Sequence, residues 1–125
     1  DKDGPSGISG TLVGGASTMA WPVEVVMAST WNTELMERMG ELIGEDSIGA
    51  GVTGWYAPGA NIHRSPYSGR NFEYYSEDGF LSGKIGAAEM RGARSRGVPF
   101  PRAPRSVPAG TSARERAAGE CCRGL

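Results

Sequence analysis

Four prolines fall within ten residues, at positions 99, 101, 104 and 108, and they bound what this chain can fold into. Each ring removes a backbone donor and clashes with the preceding turn, so no helix can run through them. Composition changes at the same place. Residues 98–125 hold four Pro, five Arg, five Ala and three Gly among 28, and contain no Lys, Asp, Asn, Gln, Ile, Met, Trp, Tyr or His. Charge changes too: eight basic and twelve acidic side chains precede Val98, against five basic and two acidic from there on. The net charge of −1 is thus an average over two unlike parts. The tail reads as disordered, and three accounts of it stand. It is a flexible extension; or it is a GC-rich gene read out of frame, since Arg, Pro, Ala and Gly all have GC-rich codons; or it is a sparse Arg-rich nucleic-acid tail. The whole-chain balance lacks the strongly basic footprint of a nucleic-acid binder, so no nucleic-acid partner is expected. Cys121 and Cys122 are adjacent, a spacing that neither staples a loop nor matches a zinc site.

At 125 residues the chain suits one domain or a piece of a larger one. It is too short for a complete eight-stranded α/β barrel of about 250 residues. No run of 18 apolar residues exists, so no membrane-spanning helix is expected. The opening Asp-Lys-Asp-Gly-Pro is no apolar signal segment, although a fragment would lack its true N-terminus. That leaves the compartment open, with a cytoplasmic location slightly favoured.

Up to Gly97 the chain alternates between patterns. Residues 1–17 are rich in Gly and Ser, and Asp3-Gly4-Pro5-Ser6-Gly7 is strong turn chemistry. Trp21 to Thr30 is short and apolar, and fits either a strand or a buried helical turn. From Asn32 an amphipathic helix is clear. Asn32 is its N-cap, and Leu35, Met36, Met39, Leu42 and Ile43 form its apolar face. Glu34, Glu37, Arg38, Glu41 and Glu45 make a solvated outer face with a Glu34–Arg38 pair, and Gly40 and Gly44 let the helix lie close to a sheet. Gly49 and Gly51 supply a stop. Gly51 to Ala57 then predicts one buried strand. A second helix starts after Asp78, turns Leu81, Ile85 and Ala88 inward, and ends near Gly97.

Between strand and second helix runs a long loop without apolar periodicity, 58–77. Such loops are either functional or disordered. Six of the ten aromatics (Trp55, Tyr56, Tyr67, Phe72, Tyr74 and Tyr75) lie between 55 and 75, which argues for order. The alternation of elements is that of α/β folds with parallel strands, where sites form on loops at the C-terminal ends of strands. Two loops sit in that position, one around Asp3 and one at 58–77. Their chemistry suits a neutral polyol. Arg70 offers five fixed donors for adjacent sugar hydroxyls, Asp3 can accept from two, and aromatic faces can stack on a sugar ring. Glu73, three residues after Arg70, can hold the guanidinium. The plainer readings are an ion pair that merely orders the loop and, for Asp3, a turn cap ahead of Gly4-Pro5.

The run APGANIHRSPYSGRNFEYYSED, with DGPSG upstream and WPVEVVMASTWNTELMERMGELIGED between them, resembles the N-terminal barrel domain of glycoside hydrolase family 3, the β-glucosidase group. The resemblance covers about residues 1–98. It implies an α/β fold: a partial (β/α)8 TIM-type barrel over 1–98, followed by a disordered or non-native tail over 99–125. It also implies that Asp3 and Arg70 bind hydroxyls of the sugar beside the cleaved bond, and that Glu73 supports them. His63 and Arg64 lie in the matched run and read as loop architecture. One departure is Gly79, where the family commonly has Pro after Ser-Glu-Asp.

Members of the family are retaining glycosidases, in which a carboxylate attacks the anomeric carbon and a carboxylic acid protonates the leaving oxygen. Neither carboxylate is assignable here, since the family places both later in the chain. The family's Lys-His pair, expected soon after Val98, has no counterpart in residues 98–125. The resemblance therefore ends where composition shifts, which favours the out-of-frame account of the tail. The expectation is a fragment of a β-glucosidase-type hydrolase with a carbohydrate substrate, sugar-subsite residues present and catalytic pair missing. The alternative is a non-catalytic carbohydrate-binding fragment. No metal and no organic cofactor are expected. One strand and two helices cannot close a barrel, so the isolated chain is expected to be marginally stable.

Overall fold

A computed structural model describes Ile8 and residues 19–52, 54–55 and 57–98. Asp3 and the tail over 99–125 lie outside the described residues. Three helices carry the fold: α1 (Glu24–Ala28), α2 (Thr33–Gly49) and α3 (Gly79–Ser95), with a 3-10 turn at Asn71–Glu73 before α3. Of the two options for Trp21 to Thr30, the helical turn is the one formed.

The caps explain where the long helices begin and end. The Asn32 side chain accepts from the Leu35 N–H at 2.9 Å. The Asp78 carboxylate accepts from the N–H groups of Phe80 and Leu81 at 3.3 and 3.2 Å. Each cap satisfies donors that have no partner within the helix and contributes about 1 kcal/mol. Both helices stop in the same way. Gly51 (φ 69°) follows α2 and Gly97 (φ 88°) follows α3, each in the left-handed region that glycine enters without strain. Gly51 donates to Ile48 O and Val52 to Ser47 O; Gly97 donates to Arg94 O and Val98 to Ala93 O. These paired bonds are the Schellman arrangement.

α2 packs on α3 backbone to backbone. A Cβ placed on Gly40 would lie 2.2 Å from the Glu89 carbonyl oxygen, and one on Gly92 would lie 2.0 Å from that of Glu37. The small residues expected to bring α2 against a sheet bring it against a helix. Met36, Met39 and Ile43 of α2 share one apolar cluster with Ile85, Ala88 and Ala93 of α3, joined by Met27, Ala28, Trp55, Tyr75 and Val98. Leu81, expected on the inner face, is half-buried against this cluster, and Leu35 is exposed.

The expected outer face of α2 is a bridge. Glu37 pairs with Arg91 at 3.1 Å, and Arg96 reaches Glu41 and Glu45 at 3.2 and 3.1 Å. Arg38 pairs with Glu41 at 2.5 Å rather than with Glu34. Hydrogen bonds from Arg38 and then Arg96 hold the Glu41 carboxyl below the ordinary glutamate range. A depressed folded pKa stabilises fully above the unfolded value of about 4.3 and is lost as pH falls through the lower folded value. Glu41→Gln is therefore expected to flatten the acid limb of a Tm-against-pH curve, most visibly at low salt, because exposed pairs are screened.

Of the barrel strand expected over 51–57, Thr53 and Tyr56 lie outside the described residues. Among the described residues no strand forms, and the one β-type contact is an isolated parallel bridge between Gly59 and Tyr74. A strand exists by virtue of ladder partners, and no ladder is formed by the described residues of this segment. Instead Trp55 enters the helical core.

Candidate functional site

The loop from Ala57 to Asp78 is closed at its neck. Gly59 lies so close to the other end that a Cβ there would sit 2.6 Å from the Glu73 carbonyl oxygen and 3.1 Å from the Tyr74 ring. The Gly59–Tyr74 bridge joins the two ends, and the Ala57–Pro58 peptide at the entry is cis. Within the loop, Asn71 Nδ2 donates to Ser65 O at 2.5 Å, and the Tyr67 and Arg70 N–H groups donate to the Ser65 and Ser68 hydroxyls at 3.3 and 3.4 Å. Glu73 N donates to Arg70 O at 3.3 Å, forming the 3-10 turn. That turn sets Arg70 and Glu73 one turn apart on the same side.

The pair expected from their spacing is made: Arg70 Nε is bonded to Glu73 Oε1. Its two members differ in exposure. The Glu73 side chain is 12% exposed and that of Arg70 is 69% exposed, so a carboxylate rooted in the protein holds a guanidinium that faces outward. A guanidinium fixed through Nε keeps its terminal nitrogens in a plane set by the partner. Asp3, expected beside it, is outside the described residues. His63 is half-buried, and its Nδ1 is buried without a hydrogen-bond partner among the described residues; Arg64 is exposed.

The aromatics expected to offer stacking faces divide. Tyr67 is 95% exposed and Phe72 is also exposed, whereas Trp55 and Tyr75 are buried in the core at 1% each. Tyr75 donates from its hydroxyl to Glu89 Oε2 at 2.5 Å. Sequence reasoning missed Glu89, an acidic residue on α3 that is 1% exposed, as buried as Trp55 and Tyr75. The signal was its position: Glu89 follows Ile85 by four residues and Ser82 by seven, on the inward face.

The loop thus presents an arginine anchored by a nearly buried glutamate, flanked in sequence by the exposed Tyr67 and Phe72. Residues 3–100 match the glycosyl hydrolase family 3 N terminal domain. The chain belongs to that family. It is 44% identical over 96 residues to beta-glucosidase A of Butyrivibrio fibrisolvens and 43% identical over 98 residues to a beta-glucosidase of Rhizobium radiobacter. In each case the match covers 77% of this chain and 12% of the relative, so the chain spans about an eighth of the length of these curated relatives. Among solved structures, beta-glucosidase 3B from Thermotoga neapolitana in complex with glucose superposes with a TM-score of 0.71 at 46% identity, over 79% of this chain and 14% of that one.

Proposed function

We propose that this chain supplies part of the sugar-binding subsite of a retaining β-glucosidase-type glycoside hydrolase. Its helices α2 and α3 then belong to the outer layer of a barrel. In this reading the terminal nitrogens of Arg70 donate to hydroxyls of the sugar beside the scissile bond, and Glu73 fixes their plane. Asp3 accepts from further hydroxyls, while His63 and Arg64 shape the loop. The observation that carries the reading is the exposed Arg70 guanidinium held by the nearly buried Glu73. The nucleophile and the acid/base of a retaining mechanism are carboxylates on opposite sides of the anomeric carbon. Neither role is assigned to Glu73, Glu77 or Asp78, because Glu73 is engaged by Arg70 and Asp78 caps α3.

The test is a glucose titration of the 125-residue chain followed by NMR. Weak saturable binding is expected, and Arg70→Ala should weaken it about tenfold or more, since hydrogen bonds to a charged group contribute about 1.5–3 kcal/mol. Binding that is unchanged in Arg70→Ala would remove Arg70 from the subsite. The same chain is expected not to hydrolyse an aryl β-glucoside; turnover would show that the catalytic carboxylates are among its own residues.

A further inference from the structure

We infer that Tyr75 and Glu89 are positioning residues for the Arg70–Glu73 pair, anchoring the end of the site loop to α3 through their buried hydrogen bond. This rests on the sugar-subsite reading above.

Tyr74 is extended (φ −117°, ψ 148°) directly after the 3-10 turn, and the residues on either side of it, Glu73 and Tyr75, are both buried. Where Glu73 turns toward Arg70, Tyr75 continues into the core. Its ring lies against α3 at Gly86, where a Cβ would come within 3.1 Å of it. Its hydroxyl reaches Glu89 Oε2, one helical turn further on. Two points of contact along one helix fix both the depth and the rotation of the ring. The Glu89 backbone is itself packed from the other side by α2, since a Cβ on Gly40 would lie 2.2 Å from its carbonyl oxygen. The loop end is thereby referenced to the junction of the two long helices.

A purely stabilising role explains the polar pair poorly. Both residues are 1% exposed, and burying a carboxyl group and a hydroxyl has a desolvation cost that their hydrogen bonds must offset. Phe opposite Leu would fill the same volume without that cost. What the hydroxyl–carboxylate bond adds is direction: it permits one placement of Tyr75, and two residues upstream one placement of Glu73.

Three variants of the full chain test this: Tyr75→Phe, the double variant Tyr75→Phe with Glu89→Leu, and Glu89→Gln. The first readout is the Arg70 Nε–H signal in 15N NMR, which reports the ion pair to Glu73 directly; the second is glucose affinity. The double variant removes both polar groups of the pair while keeping the apolar volume, so it stays interpretable even if Tyr75→Phe alone fails to fold, and its urea midpoint is read alongside. Its Arg70 Nε–H proton should nevertheless exchange with water at least tenfold faster, with glucose binding about tenfold weaker. Glu89→Gln keeps an acceptor for the Tyr75 hydroxyl and is expected to restore the slow exchange. A folded double variant with the parent's Arg70 signal and exchange rate would overturn the inference. If the parent chain binds no glucose, the sugar-subsite reading fails, while the exchange rates still decide whether Tyr75 and Glu89 position Arg70.

Discussion

Gly92→Ala is expected to cost the chain about 3 kcal/mol or more and to lower its urea midpoint accordingly, as followed by far-UV circular dichroism. The new Cβ would lie 2.0 Å from the Glu37 carbonyl oxygen and 2.8 Å from the Glu41 nitrogen. Both are backbone atoms of α2, so no rotamer change relieves the clash and the helices must separate. Separation opens the apolar cluster that Met36, Met39 and Ile43 share with Ile85, Ala88 and Ala93, and stretches the Arg91–Glu37 and Arg96–Glu41 bridges. Alanine favours the helix over glycine by about 1 kcal/mol, which offsets only part of this loss. Gly40→Ala should behave in the same way against Glu89. Gly49→Ala is the control: nothing lies within 4 Å of its Cβ position, and the variant should match or slightly exceed the parent in stability.

Trp55→Ala is expected to have an effect of similar size, about 3–5 kcal/mol, for the opposite reason. Trp55 is 1% exposed and among the largest side chains of the core, where it joins residues of all three helices. Truncation removes its burial and leaves a cavity that the neighbouring backbone can fill only by moving. Because Trp55 precedes the neck of the site loop by a few residues, the Arg70 Nε–H signal should broaden along with the loss of stability. Trp31→Ala provides the comparison. That indole is 71% exposed, and its removal is expected to shift stability by no more than about 0.5 kcal/mol. A chain that melts alike after both changes would contradict the placement of Trp55.

What could be foreseen from the residues follows the range of the interactions. α2 and α3 were legible because their signals are local: Asn32 and Asp78 as caps, apolar positions three and four apart, and glycines beyond the last turn. The Arg70–Glu73 pair was legible for the same reason, its partners being one turn apart. The companions of each element were not. Gly40 announces a close approach but not whether a helix or a sheet makes it, and Glu37, Glu41 and Glu45 read as a solvated face because Arg91 and Arg96 lie some fifty residues away. The strand expected at 51–57 shows the same limit: β-favouring residues describe a capacity to pair, and the ladder partner is not a property of the segment itself. Tyr75 was grouped with the loop aromatics because an aromatic in a polar stretch looks alike whether it faces a ligand or the core, and Glu89 was missed because its partner lies outside its own helix.

The bridges between α2 and α3 join residues 51 to 55 apart in the chain, which has a consequence for how the molecule assembles. Each helix can form by itself in well under a millisecond, but docking them requires closing a loop of about fifty residues, at an entropic cost of about 3.5 kcal/mol beyond a constant term. That closing segment is the one that bears Arg70 and Glu73. Tyr75 gains its place against Gly86 and Glu89 as the segment is drawn in, so the residues read here as a sugar subsite acquire their geometry in the slow step and lose it in the first large opening of the helix pair.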